Sequence, residues 1–98
     1  MKKFMVKLHG EDFLFDLDGE PKRFGFHATR FVMAESPKEA GKIAIVLIHQ
    51  SPEFAKALSD ESAGHPRIDV EEVREVGLLK FLIKKSTRGF DFYSAEEL

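Results

Sequence analysis

Ser36-Pro37-Lys38-Glu39-Ala40-Gly41-Lys42-Ile43-Ala44-Ile45-Val46-Leu47-Ile48 is the stretch on which the fold turns. Ser36 can cap the free amides of a helix start, Pro37 suits the first turn, and Glu39 completes a capping box. Ala40, Ile43, Ala44, Leu47 and Ile48 then recur at i, i+3, i+4, i+7 and i+8, which lays an apolar stripe along a helix. The β-branched run alone would also suit a buried strand; the capping box decides for helix. Ile45 and Val46 widen the apolar arc and leave Lys38, Lys42 and His49 as a narrow wet edge. One face packed on a sheet does not use that much apolar surface, so this helix is expected to touch a second surface.

Upstream the pattern has period two. Phe4, Val6 and Leu8 alternate with Lys3, Met5, Lys7 and His9, the signature of a half-buried strand. Gly10-Glu11-Asp12 has the length and composition of a hairpin turn, and Phe13, Phe15 and Leu17 then share one face of a second strand. Asp18-Gly19-Glu20-Pro21 is a strong turn signal. A third strand runs from about Phe24 to Ala34. Phe24, Phe26 and Ala28 hold one parity, and Phe31 and Met33 hold the other. Either a bulge lies near Thr29-Arg30 or both faces of this strand are covered.

Downstream, Ser51-Pro52 repeats the cap-then-proline signal for a short helix carrying Phe54, Ala55 and Leu58 inward. Residues 62–66 read as a loop. Residues 67–76 alternate through Ile68 and Val70, then slip parity at Val73, which predicts a strand with a bulge near Glu71-Glu72; a helix through Val70, Val73 and Val76 is the alternative. Leu78–Ile83 fits both a strand and a helical turn. Gly89-Phe90-Asp91-Phe92-Tyr93 closes the chain as a short edge strand. The expected fold is α+β: an antiparallel sheet of four to five strands, with one main helix and a short second helix on one face.

The 98 residues hold one core, so residues 1–98 are expected to form a single domain. The chain is 43% apolar and 33% charged, a composition that folds by burial and does not stay disordered. No apolar run approaches the roughly 20 residues of a membrane span. Lys7, His9, Glu11 and Asp12 interrupt any signal-peptide core, and there is no cysteine, so the cytoplasm is the expected compartment and membranes are not expected partners. Missing cysteine also removes disulfides, thiolate metal sites and thiol nucleophiles. The 15 basic and 17 acidic residues nearly cancel, which argues against a nonspecific nucleic-acid binder. They are unevenly placed. Asp60, Glu61, Asp69, Glu71, Glu72 and Glu75 crowd one segment, while Lys80, Lys84, Lys85 and Arg88 follow without an acid.

Motifs for chemistry are sparse. Asp16-Leu17-Asp18-Gly19-Glu20 opens like a calcium loop, but Pro21 stands where the sharp turn needs glycine and His27 where a bidentate Glu is required, so a polar hairpin turn is the reading. No glycine-rich phosphate cradle or nucleophile elbow occurs. His9 and His27 lie on predicted strands where cross-strand neighbours could share a metal, yet no metal-binding spacing supports this; His49 and His65 carry none either. No cofactor and no catalytic residue is assigned. His27-Ala28-Thr29-Arg30 is the most site-like tetrapeptide. With a bulge, its imidazole, hydroxyl and guanidinium would converge on a small anion or phosphate; on a regular strand Arg30 points away from His27 and Thr29. Phe24, Phe26 and Phe31, near Lys22, Arg23 and Arg30, are candidates for a base-stacking platform, with core phenylalanine as the plainer reading.

Three stretches together resemble a group of short uncharacterised bacterial proteins: Phe24-Gly25-Phe26-His27-Ala28-Thr29-Arg30-Phe31-Val32, Ala34-Glu35-Ser36-Pro37-Lys38-Glu39-Ala40 and Gly89-Phe90-Asp91-Phe92-Tyr93, behind a strand-rich start. The resemblance spans most of the chain. It implies a small α+β unit of ferredoxin-like type and brings no activity or catalytic residue with it.

Three functions are open at this level. The wide helix arc, the two-sided third strand and the apolar segment 78–83 point to an interaction module that self-associates as a homodimer, with Phe31, Met33, Ile45 and Phe81 as interface candidates. The opposite charge patches would also suit a charged protein partner. The alternative is a small-ligand or single-stranded nucleic-acid site on the sheet around His27, Thr29 and Arg30. An enzyme would need His27 to converge with the acids of 69–75, because proton transfer requires hydrogen-bond reach. Of the ten phenylalanines, Phe4, Phe13, Phe15, Phe24, Phe26 and Phe54 fit one core. Phe31, Phe81, Phe90 and Phe92 are harder to place inside it.

Overall fold

A computed structural model describes residues 1–17, 19–57 and 66–94. Two long strands, β1 (Lys2–Asp16) and β2 (Pro21–Ala34), pair antiparallel as one hairpin. The connection between them is the expected polar turn, in which Gly19 has φ +91° and its amide donates to Asp16 Oδ1 at 2.9 Å. Gly10-Glu11-Asp12 is therefore not a turn. The register passes from Gly10 opposite Phe26 to Phe13 opposite Phe24, so β1 carries one extra residue there. This is a β-bulge, with Asp12 at φ 59°, a left-handed conformation that aspartate tolerates. Arg23 on β2 reaches across to the Asp12 carboxylate. The bulge shifts parity by one, so Phe13 and Phe15 fall on the same face as Phe4, Val6 and Leu8. A turn and a bulge both answer that parity change, which is why the sequence pattern alone reads as two strands.

After β2 come α1 (Pro37–Gln50), α2 (Pro52–Ala57), β3 (Arg67–Glu75), α3 (Leu78–Lys84) and β4 (Asp91–Ser94). The sheet has the order β3-β1-β2-β4 and every pairing is antiparallel. Four strands, one main helix and a short second helix make the expected α+β arrangement. The ferredoxin-like topology is not adopted: that fold needs split β-α-β crossovers, whereas here β1 and β2 are joined directly. The bulge expected near Glu71-Glu72 is present, because Lys7 pairs with Glu72 and Leu8 with Val70.

Ser36 has extended backbone and its Oγ accepts from the Glu39 amide at 3.2 Å, as the capping signal requires. α1 buries Ala40, Gly41, Ala44 and Ile48. Small residues on this side let the helix lie close to the sheet; a Cβ on Gly41 would come within 3.3 Å of Val70 on β3. Val46 and Leu47 stay exposed at 51% and 38%, so part of the wide apolar arc is left uncovered among the described residues.

The core forms between α1, α2 and the face of the sheet carrying Phe4, Val6, Leu8, Phe13, Phe15, Phe26, Ala28 and Val32, hereafter the first face. Phe54 drops from α2 and meets Phe13, Phe15 and Phe26 edge-on, with ring centroids 5.3–5.9 Å apart. Phe90 and Phe92 also pack into this cluster, against Phe26 and Phe15, which corrects the difficulty of placing them. Phe24 and Phe26 serve this core and form no stacking platform.

β3 and β4 lie at opposite edges, so the chain must cross the sheet between them. α1 occupies the first face, and α3 crosses the second. Met5 and Phe81 are buried there, outside the main cluster. No helix among the described residues is long and apolar enough to cross a membrane.

Candidate functional site

The second face, beyond α3, is polar. The β1–β2 register sets His9 directly opposite His27, and their rings stack with centroids 4.5 Å apart and planes 10° from parallel. The β3 bulge places Glu71 between them. Its Oε1 lies 3.6 Å from His27 Nδ1 and its Oε2 3.9 Å from His9 Nδ1. Glu11, from the β1 bulge, stands 3.5 Å from the same His9 nitrogen. On the other side, the Tyr93 hydroxyl bonds His9 Nε2, and the Tyr93 ring lies 5.6 Å from that of His27. Each of the four strands thus contributes one member: His9, His27, Glu71 and Tyr93. Gly25 makes room for the last, because a Cβ there would collide with the phenol.

Chemically, the arrangement is a hydrogen-bonded Tyr93–His9 pair stacked on His27, with the carboxylates of Glu11 and Glu71 within ion-pair distance of the imidazoles. A Tyr93 hydroxyl that donates to Nε2 leaves the His9 proton on Nδ1, facing Glu11 and Glu71. Burial of the phenol pushes the Tyr93 pKa up, and the charges of Glu11 and Glu71 add to the rise. An open cleft of about 310 Å³ adjoins the cluster, with Lys7, His27, Thr29, Glu71, Thr87 and Asp91 on its walls. No set of three His, Asp or Glu side chains among the described residues has the geometry to hold a metal ion.

The candidates from sequence fall in different places. His27 and Thr29 share the second face and line the cleft. Arg30 does not join them. No bulge interrupts β2 near Thr29-Arg30, so strand alternation sends Arg30 to the first face, where it is only 4% exposed. Its Nη1 donates to the carbonyls of Thr29 (2.8 Å) and Gly89 (3.0 Å), its Nη2 to that of Arg88 (3.0 Å), and the guanidinium covers the Phe90 ring. Burial lowers its pKa; Glu53 opposes that shift and Arg88 reinforces it. The anion site built from His27, Thr29 and Arg30 together is therefore not assembled.

Among the interface candidates, Met33 is 44% exposed, Phe31 is half-buried, Ile45 packs partly against the core, and Phe81 is buried under α3. The neighbours of Phe81 make the larger surface: Leu78, Leu79, Leu82 and Ile83 are 59%, 73%, 51% and 67% exposed. His49 sits edge-on to Phe54, and His65 lies outside the described residues. His27 and Glu71 are in contact, so the separation that would exclude proton exchange between His27 and the acids of 69–75 is not found. The sequence set His9 and His27 on strands as cross-strand neighbours, without placing His9 in the site, and did not bring in Tyr93. The signal for His9 was the cross-strand pairing of two histidines; nothing in the sequence pointed to Tyr93, whose place depends on β4 joining β2.

Comparison with known proteins finds no matching family model, no matching curated protein and no matching solved structure.

Proposed function

We propose that this protein is an interaction module that self-associates as a homodimer through the outer surface of α3, extended by Met33. One observation carries the reading: four of the seven residues of α3 are aliphatic side chains more than half exposed. A monomer keeps such side chains in water at a cost of about 1.5–3 kcal/mol for each large apolar group left unburied.

The occupant is a second copy, because the chain carries both halves of a complementary surface. α3 and the residues after it hold Lys80, Lys84, Lys85 and Arg88 without an acid, while β3 is net acidic, with Asp69, Glu71, Glu72 and Glu75 against Arg67 and Arg74, which pair with Asp69 and Glu72. A two-fold axis that sets the α3 of one protomer beside the β3 of its partner joins the two charges twice, as an isologous contact requires. Light scattering at micromolar concentration tests this: a dimer is expected for the native chain and a monomer for Leu79→Glu with Ile83→Glu. A native chain that scatters as a monomer overturns the proposal.

A further inference from the structure

A second cavity, of about 290 Å³, opens where the end of α1 and the start of α2 face the segment that runs from α3 toward β4. Its polar lining is Arg30, Lys85, Arg88, Gln50, Ser51 and Thr87. Arg30 is the unusual member. A guanidinium removed from water is costly unless a counter-charge accompanies it. Arg30 donates to the carbonyls of Thr29, Arg88 and Gly89 and lies over the Phe90 ring, but no carboxylate among the described residues comes within ion-pair distance. Glu53 on α2 acts on it only at longer range. Of the five N–H groups of a guanidinium, Nε–H and one Nη2–H have no acceptor among the described residues. Lys85 and Arg88 likewise carry no ion pair among the described residues. Three cations therefore surround one cavity, and no carboxylate among the described residues neutralises them there.

From this we infer that the cavity binds a small phosphorylated organic molecule, its phosphate held by Arg30, Lys85 and Arg88. A phosphate carries close to two negative charges and three acceptor oxygens, which suits three cations and the hydroxyls of Ser51 and Thr87; a carboxylate would leave most of that positive charge unanswered. The other wall is apolar, formed by Phe31, Leu47 and Pro52, and gives the organic part a surface that inorganic phosphate cannot use. Arg30 acts as a fixed donor because its other bonds tie it to the backbone, while Lys85 and Arg88 are exposed and close on the anion from the solvent side.

Calorimetric titration with phenyl phosphate, inorganic phosphate and benzoate tests the assignment. Phenyl phosphate is expected to bind saturably, one per chain, and at least about tenfold more tightly than benzoate or inorganic phosphate. The double variant Lys85→Gln, Arg88→Gln changes only exposed positions and is expected to keep its melting temperature while losing at least about tenfold in affinity per charge removed. Lys85 and Arg88 also belong to the basic run invoked for dimerisation, so the titration is repeated on the Leu79→Glu, Ile83→Glu protein; binding retained there separates this site from the dimer. The inference fails if phenyl phosphate does not saturate at millimolar concentration, if benzoate or inorganic phosphate binds equally well, or if the double variant binds undiminished. Binding of oligothymidylate in the absence of phenyl phosphate binding also overturns it and assigns the cations to a nucleic-acid backbone.

Discussion

Gly10→Ala is the smallest change that tests how the central hairpin is held. Gly10 faces Phe26 across β1 and β2, and a Cβ at position 10 would collide with one edge of the Phe26 ring. That ring has nowhere to go. It is fully buried and has the rings of Phe13, Phe15, Phe54, Phe90 and Phe92 around it at centroid distances of 5.3–6.4 Å. Alanine in a strand gains roughly 0.5–1 kcal/mol over glycine from the unfolded chain's lost freedom. Overpacking costs typically about 1–3 kcal/mol, and a ring hemmed in on several sides belongs at the upper end. The clash wins, with a net loss of about 2 kcal/mol and a fall in melting temperature of roughly 8–16 °C for a domain of this size. Urea unfolding followed by circular dichroism measures it. Phe26→Leu removes the atoms that collide, so the double variant should be less destabilised than the sum of the singles, with a coupling of about 2 kcal/mol. A Gly10→Ala protein within about 0.5 kcal/mol of native stability, or simple additivity in the cycle, would refute the reasoning.

The chain has one tyrosine and no tryptophan, so tyrosinate absorbance reads Tyr93 alone. Its midpoint should lie above the ordinary 10.0 and move part-way back in Glu71→Gln; a native midpoint at or below 10.0 would rule out the buried Tyr93–His9 contact. Because the folded state holds this proton more tightly than the unfolded one, its contribution to stability is level below the ordinary pKa and is lost as pH climbs through the folded value. Ser36→Ala removes the acceptor for the Glu39 amide and should cost about 1 kcal/mol with an unchanged urea slope; no loss would mean that the cap is idle. Phe54→Ala empties the centre of the aromatic cluster and should cost about 3–5 kcal/mol in the same assay, a loss under about 1 kcal/mol arguing that α2 is not docked.

Local signals read well wherever the decisive interaction is local. The Ser36 cap, the Pro37 start, the Gly19 turn and the parity slip at Glu71-Glu72 all involve residues within a few positions of each other, and each appears where the pattern places it. The β1 bulge was hidden because a turn and an extra residue produce the same change of parity; only the partner strand tells them apart, by pairing straight past Asp12. Segment 78–84 was ambiguous because its side chains satisfy both periods, and the choice of helix follows from the need to cross the second face over Met5 between the two sheet edges. Arg30 was legible as a cation near Phe residues, but its face depended on whether β2 is bulged, which its own sequence leaves open.

By itself the sequence determined an α+β chain with period-two strands before a capped helix, one core rich in phenylalanine, and an apolar surplus around residues 45–47 and 78–83. These follow from periodicity, capping and composition, which are properties of neighbouring residues. The tertiary structure alone decided that His9, His27, Glu71 and Tyr93 meet on one face, that Phe90 and Phe92 join the core, and that Arg30 turns away from His27 toward Lys85 and Arg88. Each of these depends on strand register and edge order, which set contacts between residues up to 84 positions apart in the chain. Hydrophobic pattern restricts such pairings, but the bulges that shift them by one residue are settled only when the strands are in place.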